Sequence, residues 1–277
     1  MSSENREHKA WREAFDFPVP GRAEKPRTKG LTMVIDKGLG LTETDDLLDL
    51  ASDYVDYIKL TFGTSAFYST RLLQQKITLV RSYGVDIFPG GTFLEIAVLQ
   101  NRMEGYMERA RELGFTYIEI SDGTIEMSPE IRRNAIRAAL RADLKVICEV
   151  GKKDPRENMP HKRMQEQIAA DLEHGAYKVI VEGRESGKGV VIYDAEGKIR
   201  ADELESLVKG VPNPESLIWE APLKNQQEEL IMRFGPNVSL GNIHPAEVLA
   251  LEALRVGLRG DTLKACIRGL FRPVLRE

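Results

Sequence analysis

The feature that most constrains this chain is a beat of short apolar runs. Eight runs of four to six residues, at 31–36, 57–61, 85–88, 117–121, 145–150, 178–182, 217–220 and 238–241, are nearly continuous in apolar character and rich in β-branched or aromatic types. Strands that alternate apolar with polar cover one face of a sheet; continuous runs of this length suit strands buried on both faces of a parallel sheet. Between them the period changes to that of a helix. Met103, Tyr106, Met107, Ala110 and Leu113 form a stripe closed by Gly114, and Ser128-Pro129-Glu130 is a cap, a first-turn proline and an acid in the order a helix start prefers. Met164, Ile168 and Leu172 repeat the stripe before Gly175, Leu230, Ile231 and Phe234 precede Gly235-Pro236, and Pro245 opens a last long helix carrying Val248 to Leu258.

A strand every 25 to 40 residues or so is one strand–helix unit. Eight units in 277 residues predict a closed (β/α)8 TIM barrel, with an N-terminal extension at 1–25 and the barrel at 26–277 as a single domain. The rival, an open doubly wound sheet, would carry a glycine-rich dinucleotide fingerprint after a strand, and none occurs. Charge then bounds the partners. A formal net charge of -4 with 30% charged residues gives no reason to expect nucleic acid or an anionic membrane. No apolar run reaches the roughly 20 residues that span a bilayer, and the polar start of the chain has no signal-peptide character. The two cysteines, Cys148 and Cys266, read as buried thiols of a reducing compartment, so a soluble, cytoplasmic protein is expected.

In such a barrel chemistry belongs to the C-terminal strand ends. The first strand ends in Asp36-Lys37-Gly38; the second carries Lys59 and ends in Thr61-Phe62-Gly63-Thr64-Ser65. The third ends in Pro89-Gly90-Gly91-Thr92, the fourth holds Glu119 before Ser121-Asp122-Gly123, and the fifth gives Glu149, Gly151 and Lys152. The sixth gives Glu182-Gly183-Arg184, the seventh Trp219-Glu220-Ala221-Pro222, and the eighth Gly241-Asn242-Ile243-His244. Turns favour such residues anyway, but Lys59, Glu119 and Glu149 interrupt apolar runs, and a buried charge needs a partner. Asp36, Asp122, Glu149, Glu182 and Glu220 can hold a hard cation such as Mg²⁺. Lys59, Lys152 and Arg184, with Lys29 or Lys37, can hold an anion, and backbone at Gly63-Thr64-Ser65, Gly90-Gly91-Thr92 and Gly241-Asn242 can donate to phosphate. A phosphorylated, carboxylated small molecule with Mg²⁺ is the ligand class inferred. Gly183 to Gly189 lacks Walker spacing, the histidines lack metal-ligand spacing, and no nucleophilic triad is apparent.

These residues carry a resemblance. Lys59-Leu-Thr-Phe-Gly-Thr-Ser65, Phe88-Pro-Gly-Gly-Thr-Phe-Leu-Glu95, Ile118-Glu-Ile-Ser-Asp-Gly123, Glu149-Val-Gly-Lys-Lys153, Glu182-Gly-Arg-Glu-Ser-Gly187, Trp219-Glu-Ala-Pro222 and Gly241-Asn242-Ile243 resemble phosphosulfolactate synthases in order, from about residue 25 to about residue 260. The resemblance implies a Mg²⁺-dependent (β/α)8 enzyme adding sulfite to phosphoenolpyruvate. The product would feed coenzyme M biosynthesis or sulfolactate formation. It implies an enediolate stabilised by metal, with Glu149, Glu182, Asp122 and Glu220 as metal candidates. Lys152 is then the expected general acid, with Lys59 and Arg184 beside it in catalysis, and Lys29, Gly63, Thr64, Ser65, Gly91 and Asn242 contacting substrate. Expected partners are phosphoenolpyruvate, sulfite and further copies of the chain in a homo-oligomer. Lys153 and Asp154 read as turn residues. Two alternatives stand beside this reading: a Schiff-base aldolase using Lys59 or Lys178, and a non-enzymatic barrel like the similar heat-stress-associated plant proteins.

Overall fold

The computed structural model describes residues 9–269 apart from positions 12, 155 and 158, so both chain ends, with the start of the expected extension, lie outside the described residues. Eight parallel strands run β1 (Thr32–Asp36), β2 (Tyr57–Leu60), β3 (Asp86–Pro89), β4 (Tyr117–Ile120), β5 (Lys145–Val150), β6 (Lys178–Val181), β7 (Leu217–Glu220) and β8 (Leu240–Ile243). The helices are α1 (Leu41–Ala51), α2 (Thr70–Ser82), α3 (Gly91–Leu99), α4 (Met103–Leu113), α5 (Pro129–Arg141), α6 (His161–Glu173), α7 (Ala201–Lys209), α8 (Lys224–Phe234), α9 (Val248–Arg255) and α10 (Gly260–Ile267). The ladder order is β3-β2-β1-β8-β7-β6-β5-β4. β3 and β4, the two ends of that order, lie side by side without a ladder between them. The barrel is therefore nearly closed, with one seam.

Inside and outside follow the two-residue period of a strand. Val146, Cys148 and Val150 of β5 face the helices, while Ile147 faces inward with Met33, Tyr57, Phe88, Tyr117, Ile180 and Ile218. These inward residues form an apolar floor, and the Tyr57 ring sits edge-on to both Phe88 and Tyr117. Two positions further along the strands, the inward residue is charged on β2, β4, β5, β6 and β7: Lys59, Glu119, Glu149, Glu182 and Glu220.

The segment before β1 lies on the barrel's N-terminal end. Val19 N–H donates to the Val256 carbonyl, Arg22 pairs with Glu252 and Arg27 with Asp56. Two sequence expectations shift here. The last strand is Leu240–Ile243, two residues later than read, because it tolerates a polar Asn242 in a bulge. The helix from Pro245 is a short 3-10 turn followed by α9, which stops before Gly257 (φ +82), so Leu258 falls outside it. Both cysteines are free thiols, Cys148 fully buried.

Candidate active site

The five inward charges meet at the C-terminal mouth. Lys59 Nζ lies 2.8 Å from Glu119 Oε2, 3.0 Å from Glu149 Oε2 and 3.1 Å from Glu220 Oε1, all nearly inaccessible to solvent. Burial would strip the Lys59 proton, but the three carboxylates outweigh it and hold the ammonium well above its ordinary value. Burial likewise pushes Glu149 up, and Lys153 and Lys59 reverse this, keeping it well below the ordinary carboxylate range. Glu119 is pushed up to about 7, chiefly by burial, with Lys59 opposing. Glu182 is raised well above its usual value by burial and by the charges of Glu149 and Glu220.

Lys153, which the sequence reading assigned to the turn, enters this site. Its Nζ stands 3.2 Å from Glu149 Oε1 and 3.0 Å from Thr92 Oγ1. Lys152 points elsewhere: its Nζ donates to the Asp122 and Ile125 carbonyls (2.8 and 3.0 Å) and pairs with Glu126. Gly151 between strand and lysines has φ +117, a turn that reverses which neighbour faces the mouth. Lys152 lines a separate cavity of about 390 Å³ with Met159, His161 and Arg200. Lys153 lines the mouth cavity, about 290 Å³, with Lys59, Thr61, Thr92, Glu182, Arg184 and Asn242.

The other sequence candidates separate in the same way. Glu149, Glu182 and Glu220 present carboxylate oxygens within 4.8 Å of one another. Asp122 follows the inward Ser121 and so turns outward, where it accepts from Arg132 Nη1 at 3.0 Å and from Gln167. Gly63, Thr64 and Ser65 stand outside the cavity lining, and their neighbours Thr61 and Phe62 take the rim. Lys29 precedes β1, at the opposite end of the barrel, and pairs with Glu215. Asp36 is sequestered by Lys76 and by the N–H groups of Gly38 and Leu39. Gly91 lines the mouth cavity, where packing demands a glycine. A Cβ there would stand 2.4 Å from Ser121 Cβ, and its N–H donates to Glu119 Oε1 at 2.7 Å. His244 caps the following turn, accepting from Ala246 N–H, and His161 pairs with Glu203.

Sequence reasoning missed Glu95. It is the one charged residue of α3, fully buried, and Ser121 Oγ bridges it to Glu149 at 2.8 and 2.9 Å. A lone carboxylate inside an apolar helix was the available signal.

A hard divalent cation fits the residues present. Glu119, Glu149, Glu182 and Glu220 set four carboxylates against the ammonium groups of Lys59 and Lys153 and the Arg184 guanidinium of the same cavity, an excess of one negative charge when all are ionised. Among the described residues Glu182 Oε2 is buried without a hydrogen-bond donor, its nearest ammonium 3.9 Å away. Oxygen-only donor sets of this kind suit Mg²⁺.

The fold and the charged mouth define the class first: a (β/α)8 barrel whose working end is the C-terminal mouth. Its architecture is that of 3-hexulose-6-phosphate synthase from Salmonella typhimurium (TM-score 0.52, 15% identity, covering 86% of this chain and 99% of that one). A putative fructose-1,6-biphosphate aldolase from Coccidioides immitis is alike in fold too (TM-score 0.54, 13% identity, 88% and 94% covered). The chain belongs to the (2R)-phospho-3-sulfolactate synthase (ComA) family, whose sequence model matches residues 20–261. It is 46% identical over 253 residues to phosphosulfolactate synthase of Methanothermobacter thermautotrophicus strain Delta H, covering 90% of this chain and 97% of the relative. It is 37% identical over 254 residues to that of Bacillus subtilis strain 168, covering 90% and 98%. Protein HEAT-STRESS-ASSOCIATED 32 of Arabidopsis thaliana is 24% identical, covering 84% and 88%. These relationships make the chain an enzyme of the phosphosulfolactate synthase kind.

Proposed function

We propose that the chain adds sulfite to the methylene carbon of phosphoenolpyruvate in the mouth cavity, giving phosphosulfolactate with Mg²⁺ as cofactor. One observation carries the reading: a single cavity of about 290 Å³ is lined by buried carboxylates together with the cations Lys59, Lys153 and Arg184. Glu149, Glu182 and Glu220 would hold the metal, which when bound supplies Lewis-acid stabilisation of charge on the substrate carboxylate.

The chain's own groups do the rest. Arg184 sits at φ +59 on the rim, and among the described residues its guanidinium makes no hydrogen bond or ion pair, so it suits a phosphate or sulfite. The sulfur lone pair forms the C–S bond, the double-bond electrons move to the carbon bearing phosphate, and one proton must reach that carbon. Lys153 is positioned to give it. Burial lowers its proton affinity, but Glu149 and Glu182 more than restore it, so the amine is charged at neutral pH. Its partial exposure lets water return the proton. Lys59, enclosed by carboxylates, holds the acids convergent.

The Schiff-base alternative finds no support in the geometry, since Lys59 is held charged and Lys178 lies at the opposite barrel end, bonded to the Glu215 carbonyl. The deciding experiment mixes the protein with phosphoenolpyruvate, fresh sulfite and Mg²⁺ and looks for an acid-stable sulfonate by mass spectrometry. Absence of product from folded protein would overturn the reading.

A further inference from the structure

We infer that Asn242 is a ligand of the divalent cation, through its Oδ1, and not a contact of the anionic substrate. The inference rests on the cation site proposed above and deepens it.

Three observations converge. The first is in the backbone. Along the β1–β8 ladder Thr32 pairs with Leu240 and Val34 with Ile243, so β8 spends three residues where β1 spends two. Such a bulge re-aims a side chain, typically at a barrel rim. Gly241 already occupies the inward position, against Met33 and Ile218. Asn242, at φ +54, is the extra residue, and it lines the mouth cavity as well. Asparagine tolerates this left-handed conformation better than most residues, yet the chain still bears some strain to place it there.

The second is the amide's orientation. Nδ2 donates to the Arg184 carbonyl at 3.4 Å. Turning the amide over would set two acceptors against each other, so Oδ1 is the atom left without a partner. Asn242 is 4% exposed, and among the described residues this Oδ1 has no donor.

The third is its company. Glu182 lines the same cavity, and its Oε2 is also buried and also without a donor among the described residues. Oxygens of phosphate, carboxylate and sulfite are acceptors and gain nothing from either atom. A carbonyl oxygen beside carboxylates is what a hard divalent cation takes.

The test is binding of the metal alone. Mg²⁺ and Mn²⁺ are titrated calorimetrically, without substrate, into chelator-stripped wild type, Asn242→Gly and Asn242→Asp. Glycine accepts φ +54 without strain, so the first variant keeps the fold while losing Oδ1, and its Tm verifies this. Asn242→Gly is expected to weaken the cation by about tenfold or more, as loss of even an indirect partner does. Asn242→Asp, which keeps the oxygen, should bind within a few-fold of wild type or more tightly. Cation affinity unchanged in Asn242→Gly would overturn the inference and leave the proposed function standing, and weakened phosphoenolpyruvate binding in metal-free buffer would then put Asn242 on the substrate. A wild-type protein that binds neither cation would overturn both.

Discussion

Replacing Lys59 by methionine removes a charge and keeps the length of the side chain. The ammonium stands 2.8 to 3.1 Å from three buried carboxylates. Without it they cannot all remain ionised in so little water; they retain protons in the folded state that the unfolded chain releases. Glu119 already sits at about 7 in the wild type, and Glu149 is held low in part by Lys59. The variant should therefore fold with about one additional proton near neutral pH. A carboxylate whose folded pKa is raised loses stability as pH rises above its unfolded value. The slope is about 1.4 kcal/mol per pH unit per retained proton. Across the roughly three units from pH 5 to pH 8 this amounts to about 4 kcal/mol, in line with the roughly 3–5 kcal/mol lost when one partner of a buried ion pair is removed. Urea unfolding of both proteins with chelator, at unit pH steps, measures it. The two should differ by about 1 kcal/mol at pH 5 and by about 4 to 5 kcal/mol at pH 8. A difference that stays flat with pH would refute the claim that Lys59 keeps the carboxylates charged.

Lys153→Ala should lower kcat by roughly 10² to 10⁴-fold and also lower Tm, because it takes a cation from buried Glu149, whereas Lys152→Ala, which unpairs the Asp122 and Ile125 carbonyls, should cost about 1–3 kcal/mol in unfolding experiments and leave kcat within a few-fold. Glu119→Gln removes a carboxylate whose folded pKa is raised to about 7. Relative to wild type its stability should therefore gain about 3 kcal/mol between pH 4.5 and pH 8, all of it below about pH 7, as read by denaturation at each pH. Gly151→Ala would put a methyl 2.8 Å from Glu182 Cβ and Val191 Cγ2 at φ +117, and should cost about 2–3 kcal/mol while weakening Mg²⁺ in calorimetry.

The barrel was legible because burial on both strand faces writes continuous apolar runs, and because Lys59, Glu119 and Glu149 stand out inside them. Parity explains what was not legible. Glu149, Glu182 and Glu220 keep the inward phase of regular strands, so reading the strand reads the side chain's direction. Asp122 lies one residue past the inward Ser121 and goes out to Arg132 on α5. Past Gly151 the phase depends on a backbone angle of +117°, which composition does not encode, and so Lys152 and Lys153 exchange roles. Lys29 was misplaced by strand direction: it adjoins β1, but at the end away from the mouth. The β8 bulge is invisible for the same reason as the Gly151 turn.

The unladdered joint between β3 and β4 has a consequence for how this barrel stays round. Around the rest of the circumference the hoop is backbone, which almost any sequence can supply. At this joint it is spanned by the Gly91 N–H on Glu119, by Ser121 and the Thr124 N–H on Glu95, and by Thr116 on Asp86. Lys153, from β5, reaches over to Thr92 on the far side. Two of these clasps, Gly91 on Glu119 and Lys153 on Thr92, join residues that line the mouth cavity. Substituting these groups would therefore loosen the joint as well as alter the mouth. A ligand that tightens Glu119 or Lys153 would likewise tighten the ring.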